Sequence, residues 1–153
     1  MRMQIYVDAD GFPTAAKDLL IRAAMRLQVP LVFVANKKVR YEPSAMISSM
    51  VVPEGPDLAD DRIVELTQPG DLVITADIPL ADRVVDKGAA VLTPRGKLYT
   101  EGNIKDRLAM RDLMAELRDG GLMTGGPSMF SKKDCQAFVN QLDRFLTRHL
   151  KTC

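Results

Sequence analysis

Met3-Gln4-Ile5-Tyr6-Val7-Asp8-Ala9-Asp10-Gly11-Phe12-Pro13 is an alternating, largely apolar run that releases two aspartates at its C-terminal end and turns on Gly11 and Pro13. Side chains two apart on an extended strand point the same way, so Asp8 and Asp10 converge on one point. Two carboxylates that close repel each other unless a proton or a cation neutralises them. Oxygen ligands facing solvent suit Mg²⁺ or Mn²⁺, hard cations that prefer carboxylates and water. The competing reading is that the two acids cap the helix that follows.

Beyond Pro13, which suits a first helical turn, Ala16, Leu19, Leu20, Ala23, Ala24 and Leu27 recur at helical spacing, and Pro30 is expected to stop that helix. The continuous apolar run of residues 31–35 predicts a strand covered on both faces. A basic loop, Asn36-Lys37-Lys38-Val39-Arg40-Tyr41, leaves it, and a short strand is expected within residues 47–52. Asp57 is placed to cap a helix holding Leu58, Ile63, Val64 and Leu66, with Asp60 and Asp61 in its first turn. Residues 72–76 read as a buried strand ending in Asp77. Pro79 opens a helix with Leu80, Val84 and Val85 inward and Gly88 as its stop.

A strand at residues 89–92, a turn at 93–96 and an extended piece at 97–100 follow. Asn103 is expected to cap a helix whose apolar face is Leu108, Leu113, Met114 and Leu117, ended by Gly120 and Gly121. A glycine-rich loop at residues 124–128 leads to Ser131, which opens a last helix with Phe138, Leu142, Phe145 and Leu146 inward. Strands alternating with helices predict an α/β chain, a three-layer sandwich with a mainly parallel central sheet between helices. Ligands of such sheets bind beyond the strand carboxyl ends, where Asp8, Asp10, Asp77 and the start of the basic loop all fall.

The 153 residues fit one domain. With 46% hydrophobic and 27% charged residues, composition argues against both disordered and disulfide-rich classes. Cys135 and Cys153 have no metal-ligand spacing and read as structural thiols in a reducing compartment, and the lone His149 cannot complete a zinc site. No run of about 18 apolar residues exists, so no membrane span is expected. The start lacks the apolar core of a signal peptide, which predicts a cytoplasmic protein. A net charge of +1 excludes a global basic field, leaving nucleic-acid binding to local patches.

Gly70-Asp71-Leu72-Val73-Ile74-Thr75-Ala76-Asp77-Ile78-Pro79-Leu80-Ala81 repeats the logic of the opening stretch: buried strand, aspartate at its exit, proline, helix. If the two strands are neighbours, Asp77 faces Asp8 and Asp10 across a small gap. Divalent ions held there activate water and steady attacking and leaving oxygens in phosphodiester cleavage. Asp8 and Asp77 are the expected metal ligands, Asp10 a further ligand or the holder of a water, and Asp60 a ligand delivered from its helix. Thr75, two before Asp77, is placed to hydrogen-bond a water or a phosphate oxygen. Asp61, Asp82 and Asp86 read as solvated helix faces.

The strings V-D-A-D at 7–10, P-D-L-A-D at 56–60, G-D-L-V-I-T-A-D-I-P-L-A at 70–81, K-G-A at 87–89, P-R-G at 94–96 and G-G-P at 125–127 resemble the YaiI/YqxD family of small bacterial proteins. The likeness covers nearly the whole chain in order. It implies one PIN-like domain over residues 1–153, with the acids Asp8, Asp60 and Asp77, and by analogy metal-dependent ribonuclease chemistry on RNA or another nucleic acid. Family members commonly read V-D-A-D-A-C-P, whereas this chain has Gly11 and Phe12 before Pro13. No thiol role is therefore assigned.

Asn36, Lys37, Lys38, Arg40 and Arg95 are candidates for gripping a phosphate backbone, with Lys97 beside them. Two other readings compete. An apolar strand ending in D-x-D-G resembles the first motif of haloacid-dehalogenase phosphatases, in which Asp8 would be a nucleophile and Asp10 a general acid. The chain would otherwise be a non-catalytic module that binds RNA or a protein.

Overall fold

The computed structural model describes residues 3–10, 12–41, 44–55, 57–119 and 131–151. Gly11, Gly120, Gly121, the 124–128 loop and Cys153 lie outside them. In chain order the elements are β1 (Ile5–Asp8), α1 (Thr14–Leu27), β2 (Leu31–Ala35), β3 (Ile47–Val51), α2 (Leu58–Leu66), β4 (Leu72–Ile74), α3 (Ile78–Asp86), β5 (Ala90–Leu92), β6 (Leu98–Tyr99), α4 (Ile104–Asp119) and α5 (Lys132–Lys151). They form one sheet of order β3-β2-β1-β4-β5-β6. Every neighbouring pair is parallel except β5 and β6.

Alternation along the strands sorts the core into two slabs. Ile5, Val7, Leu31, Phe33, Leu72, Ile74 and Leu92 face one way, against Leu20 and Ala24 of α1 and Phe138, Leu142 and Leu146 of α5. Tyr6, Val34, Val73 and Val91 face the other way, against Ile63 of α2, Leu80, Val84 and Val85 of α3 and Ile104 of α4. The three-layer α/β expectation is met. Each fully buried aliphatic or aromatic side chain contributes roughly 1.5–3 kcal/mol. An ion pair between Arg26 and Asp143 ties α1 to α5, and Phe12 sits edge-on to Phe138 at 5.9 Å.

Helix ends depart from expectation in instructive ways. Helix α1 stops at Gln28, whose left-handed φ of 56° closes the last turn; Val29 N then donates to Ala24 O at 2.9 Å. Pro30 only follows, and its carbonyl accepts from Ile5 N at 2.9 Å. Asp57 occupies the cap position of α2, yet its φ of 62° is left-handed and its side chain caps nothing. A capping side chain reaches the first helical amides from extended backbone. Asn103 precedes α4 but bends back, accepting from Thr100 N at 2.8 Å and donating to Leu98 O at 3.0 Å. Ser131 and Asp134 form a reciprocal box: Ser131 N donates to Asp134 Oδ2 at 2.9 Å, and Asp134 N to Ser131 Oγ at 3.2 Å.

Strand β4 ends at Ile74, two residues earlier than its apolar run suggests, because Thr75 turns its hydroxyl to accept from Asp77 N. Of the apolar face foreseen for α4, Leu108, Met114 and Leu117 are half-buried and Leu113 alone of the four is exposed. Ile104 is buried and Leu108 half-buried against α3, whereas Leu113 is 49% exposed. Burial is greatest at the start of the helix, where Lys105 pairs with Asp82 of α3 at 2.5 Å.

Candidate functional site

From β1 the chain builds β2 and β3 on one side, then returns past β1 to lay down β4 and β5 on the other. The order reverses between β1 and β4, and a sheet of this kind opens a crevice at the carboxyl ends of the strands flanking such a point. Asp8 is the last residue of β1, Asp10 lies two residues beyond, and Asp77 caps the start of α3 just after β4. The two strands pair in register, Val7 opposite Ile74. By the period-two rule, Asp8 shares with Tyr6, and Thr75 with Val73, the face covered by α2, α3 and α4. A cavity of about 570 Å³ results, lined by Asp8, Asp10 and Asp77 together with Phe12, Pro94, and Arg107 and Arg111 of α4.

Each acid is anchored through one oxygen. Thr75 Oγ1 donates to Asp8 Oδ2 at 2.8 Å. Asn36 N donates to Asp10 Oδ2 at 3.0 Å. Leu80 N donates to Asp77 Oδ1 at 3.0 Å, which is the helix cap expected of that residue. Burial pushes the Asp8 carboxyl up to about 6; the Thr75 hydroxyl opposes the rise, while Asp77 and Asp10 add to it. Asp60, in the first turn of α2, is also raised to about 6, first by burial and then by Asp77, Asp8 and Asp57; once protonated it donates to Asp77. The Asp77 carboxylate thus raises both Asp8 and Asp60 by repulsion.

Thr75 is 2% exposed. Its hydroxyl, foreseen as a contact to water or phosphate, is engaged within the chain, orienting Asp8 and accepting from Asp77 N at 3.0 Å. Thr75→Val removes both bonds while keeping the shape. The Asp8 titration midpoint, read by NMR of its carboxyl carbon, is then expected to climb above about 6 and stability to fall by about 1–3 kcal/mol, as an amide loses its partner. An unmoved midpoint would show that the hydroxyl does not tune Asp8.

Among the described residues, no group of three or more His, Cys, Asp or Glu side chains is arranged to hold a metal ion. Mg²⁺ seldom needs such a cage, since it keeps several waters and binds through one or two carboxylates plus phosphate oxygens. The donor set fits that looser mode, being all carboxylate, at the edge of solvent, and relieved of mutual repulsion by added positive charge.

The other residues singled out from the sequence fall elsewhere. Asn36 reaches the acids through its backbone amide. Lys37 is exposed. Lys38 and Arg40 line a second cavity of about 510 Å³ with Tyr41 and Ser44. Arg95 lies 3.5 Å from Asp134 of α5, while its neighbour Pro94 borders the acid pocket. Asp61 pairs with Arg83 at 2.9 Å, and Asp82 with Lys105. Arg107 and Arg111 were not foreseen. Their spacing of four marks a shared helix face, but nothing local says that this face lines the cavity of the acids.

No helix among the described residues is long and apolar enough to cross a membrane. A family model described as "Uncharacterized BCR, YaiI/YqxD family" matches residues 6–148. The chain is similar to a UPF0178 protein of Maridesulfovibrio salexigens, 57% identical over 148 residues that span 97% of this chain and 98% of that one. It is likewise similar to a UPF0178 protein of Cupriavidus pinatubonensis, 55% identical over 97% and 99% of the two chains. A third relative, from a Janthinobacterium species, is 56% identical over 95% and 97%. No solved structure matches. With matched residues running from the first strand into the last helix, the chain belongs to the YaiI/YqxD family of bacterial UPF0178 proteins.

Proposed function

We propose that the pocket hydrolyses phosphodiester bonds of RNA or another nucleic acid with the help of Mg²⁺ or Mn²⁺, the chemistry of a PIN-like nuclease. One observation carries this reading: three carboxylates from two separate stretches line a single cavity at the point where the sheet reverses its order. The raised carboxyls of Asp8 and Asp60 support it, since the repulsion and burial behind them are what a bound cation offsets.

Asp8 and Asp77 would hold the ion, with Asp10 and Asp60 completing the negative field. A divalent ion there supplies Lewis-acid polarisation of a phosphoryl oxygen. Thr75 and the Leu80 amide keep Asp8 and Asp77 in fixed orientation, so their oxygens need no rearrangement when substrate arrives. Asp10, exposed and held by the Asn36 amide, is placed to orient or deprotonate an entering water.

Cleavage of single-stranded RNA in Mn²⁺ or Mg²⁺, lost on chelation, is the test. Asp77→Asn is the cleanest variant, because asparagine caps a helix as well as aspartate. Its melting temperature should hold while cleavage falls about 10²–10³-fold, the scale of losing one electrostatic group at a reacting centre. Wild-type cleavage by that variant, no cleavage in any divalent ion, or turnover of an aryl phosphate with an acyl phosphate trapped at Asp8 would each overturn the reading.

A further inference from the structure

The pocket is lined by groups of opposite charge. Asp8, Asp10 and Asp77 stand on the sheet side, Arg107 and Arg111 on α4. A divalent ion entering alone meets two guanidinium groups, and a phosphate entering alone meets three carboxylates. A ligand that presents a cation to the acids and an anion to the arginines satisfies both. Helix α4 is fastened for this role: Ile104 and Leu108 pack on the α3 side, and Lys105 pairs with Asp82 of α3. Arg107 is positioned further by donating Nε to the hydroxyl of buried Tyr99 at 3.1 Å. Arg111 is exposed, and among the described residues it pairs with the carboxylate of its sequence neighbour Asp112, at 3.3 Å. An ion pair that open to water contributes little and yields readily to a ligand.

We infer that Arg107 and Arg111 form a phosphate subsite that binds a single-stranded nucleic acid in the same cavity as the acids. The pair rests on the phosphodiesterase reading for the identity of its ligand, while its geometry stands apart from it. Guanidinium groups grip phosphate oxygens bidentately, and two of them one helical turn apart clamp one backbone phosphate or two successive ones. Phe12, lining the same cavity and steadied edge-on by Phe138, gives an adjoining base an apolar surface. An unpaired nucleotide can bring phosphate and base into such a cavity together, whereas a duplex keeps its bases stacked inside. The arginines are binding residues that set affinity and register.

The test measures binding separately from cleavage. Fluorescence anisotropy with an end-labelled single-stranded RNA of about ten nucleotides, a length typical of such sites, is run with Ca²⁺ in place of Mg²⁺ to suppress turnover. Arg111→Ala, at an exposed position, is expected to bind about tenfold more weakly, with a salt dependence shallower by about one. Arg111→Lys should restore the salt dependence and part of the affinity, which a merely structural role would not predict. A duplex of the same sequence should bind less tightly than the single strand. Unchanged affinity and salt slope in Arg111→Ala, no RNA binding by the wild type, or equal binding of the duplex would overturn the subsite. Arginine-dependent binding without cleavage by the wild type would sink the hydrolysis and leave the subsite standing. Unaltered binding in Arg111→Ala with Asp77-dependent cleavage would do the reverse.

Discussion

Asp8→Asn is expected to abolish cleavage and, in the same molecule, to make the metal-free protein harder to unfold at neutral pH. The first effect follows from the place of Asp8 at the end of β1, where it faces the acids of the other stretch. Removing its charge should lower the rate by about 10³-fold or more, because it acts where charge develops in the reaction. The second effect follows from its raised carboxyl. Its ordinary value is 3.8 and in the fold it lies at about 6. Between those values the folded protein keeps a proton that the unfolded chain has released, so this group favours the fold fully below about pH 4 and loses that contribution as pH rises through about 6.

At pH 7–8 the buried charge is therefore a liability of about 2 kcal/mol once solvent screening is allowed for. Asparagine removes the charge and still accepts from the Thr75 hydroxyl. In chelator at pH 7.5 the variant should melt roughly 4–8 °C above wild type, with the gap closing towards pH 4. Added Mn²⁺ should stabilise the wild type and leave the variant nearly unmoved, by linkage to ion binding. Calorimetric melts over this pH range, with and without Mn²⁺, check all three arms. A variant that melts lower in chelator at every pH would show that Asp8 is a structural acid.

Gly96→Ala is expected to be the most damaging glycine-to-alanine change among the described glycines. Gly96 closes the turn between β5 and β6, its N donating to Thr93 O at 2.9 Å, with a φ of +89° that side chains other than hydrogen seldom adopt. A Cβ there would lie 2.6 Å from the carbonyl carbon of Ala137, 2.7 Å from its oxygen and 2.9 Å from its Cβ. Since those are mostly backbone atoms of α5, no side-chain rotation relieves the clash. Backbone strain and overpacking together should cost about 3–5 kcal/mol, lowering the melting temperature by roughly 10 °C. Gly70→Ala is the matched control: its φ is +91°, yet a Cβ meets nothing within 4 Å. It should lose only about 1 kcal/mol. The difference between the two melts isolates the approach of α5 to the turn carrying Pro94, which borders the acid pocket. Equal losses would show that α5 does not press on that turn.

Much of this architecture was legible in the residue pattern. Apolar runs at 31–35 and 72–76, the alternating run from Met3 and helical spacing from Ala16 to Leu27 each encode a local period that burial then enforces. Failures cluster where a local signal has several structural uses. Asp57 and Asn103 are cap-forming residue types at cap positions, yet backbone angle in one and competing partners in the other redirect them. Leu113, five residues from Leu108, falls off the face that Leu108, Met114 and Leu117 half-bury, and it is exposed. The spacing of Thr75 from Asp77 is visible in the sequence; its burial and its hydrogen bond to Asp8 depend on strands and helices remote in sequence.

By itself the sequence determined the alternation of strands and helices and the position of Asp8 and Asp77 at strand exits, because each depends on residues within a few positions of one another. Tertiary structure alone decided that β1 and β4 are neighbours, that Lys38 and Arg40 line a different cavity from the acids, and that Arg107 and Arg111 line the same one. Those relations join residues up to a hundred positions apart. They follow from which hydrophobic faces bury one another, a competition that no local period records.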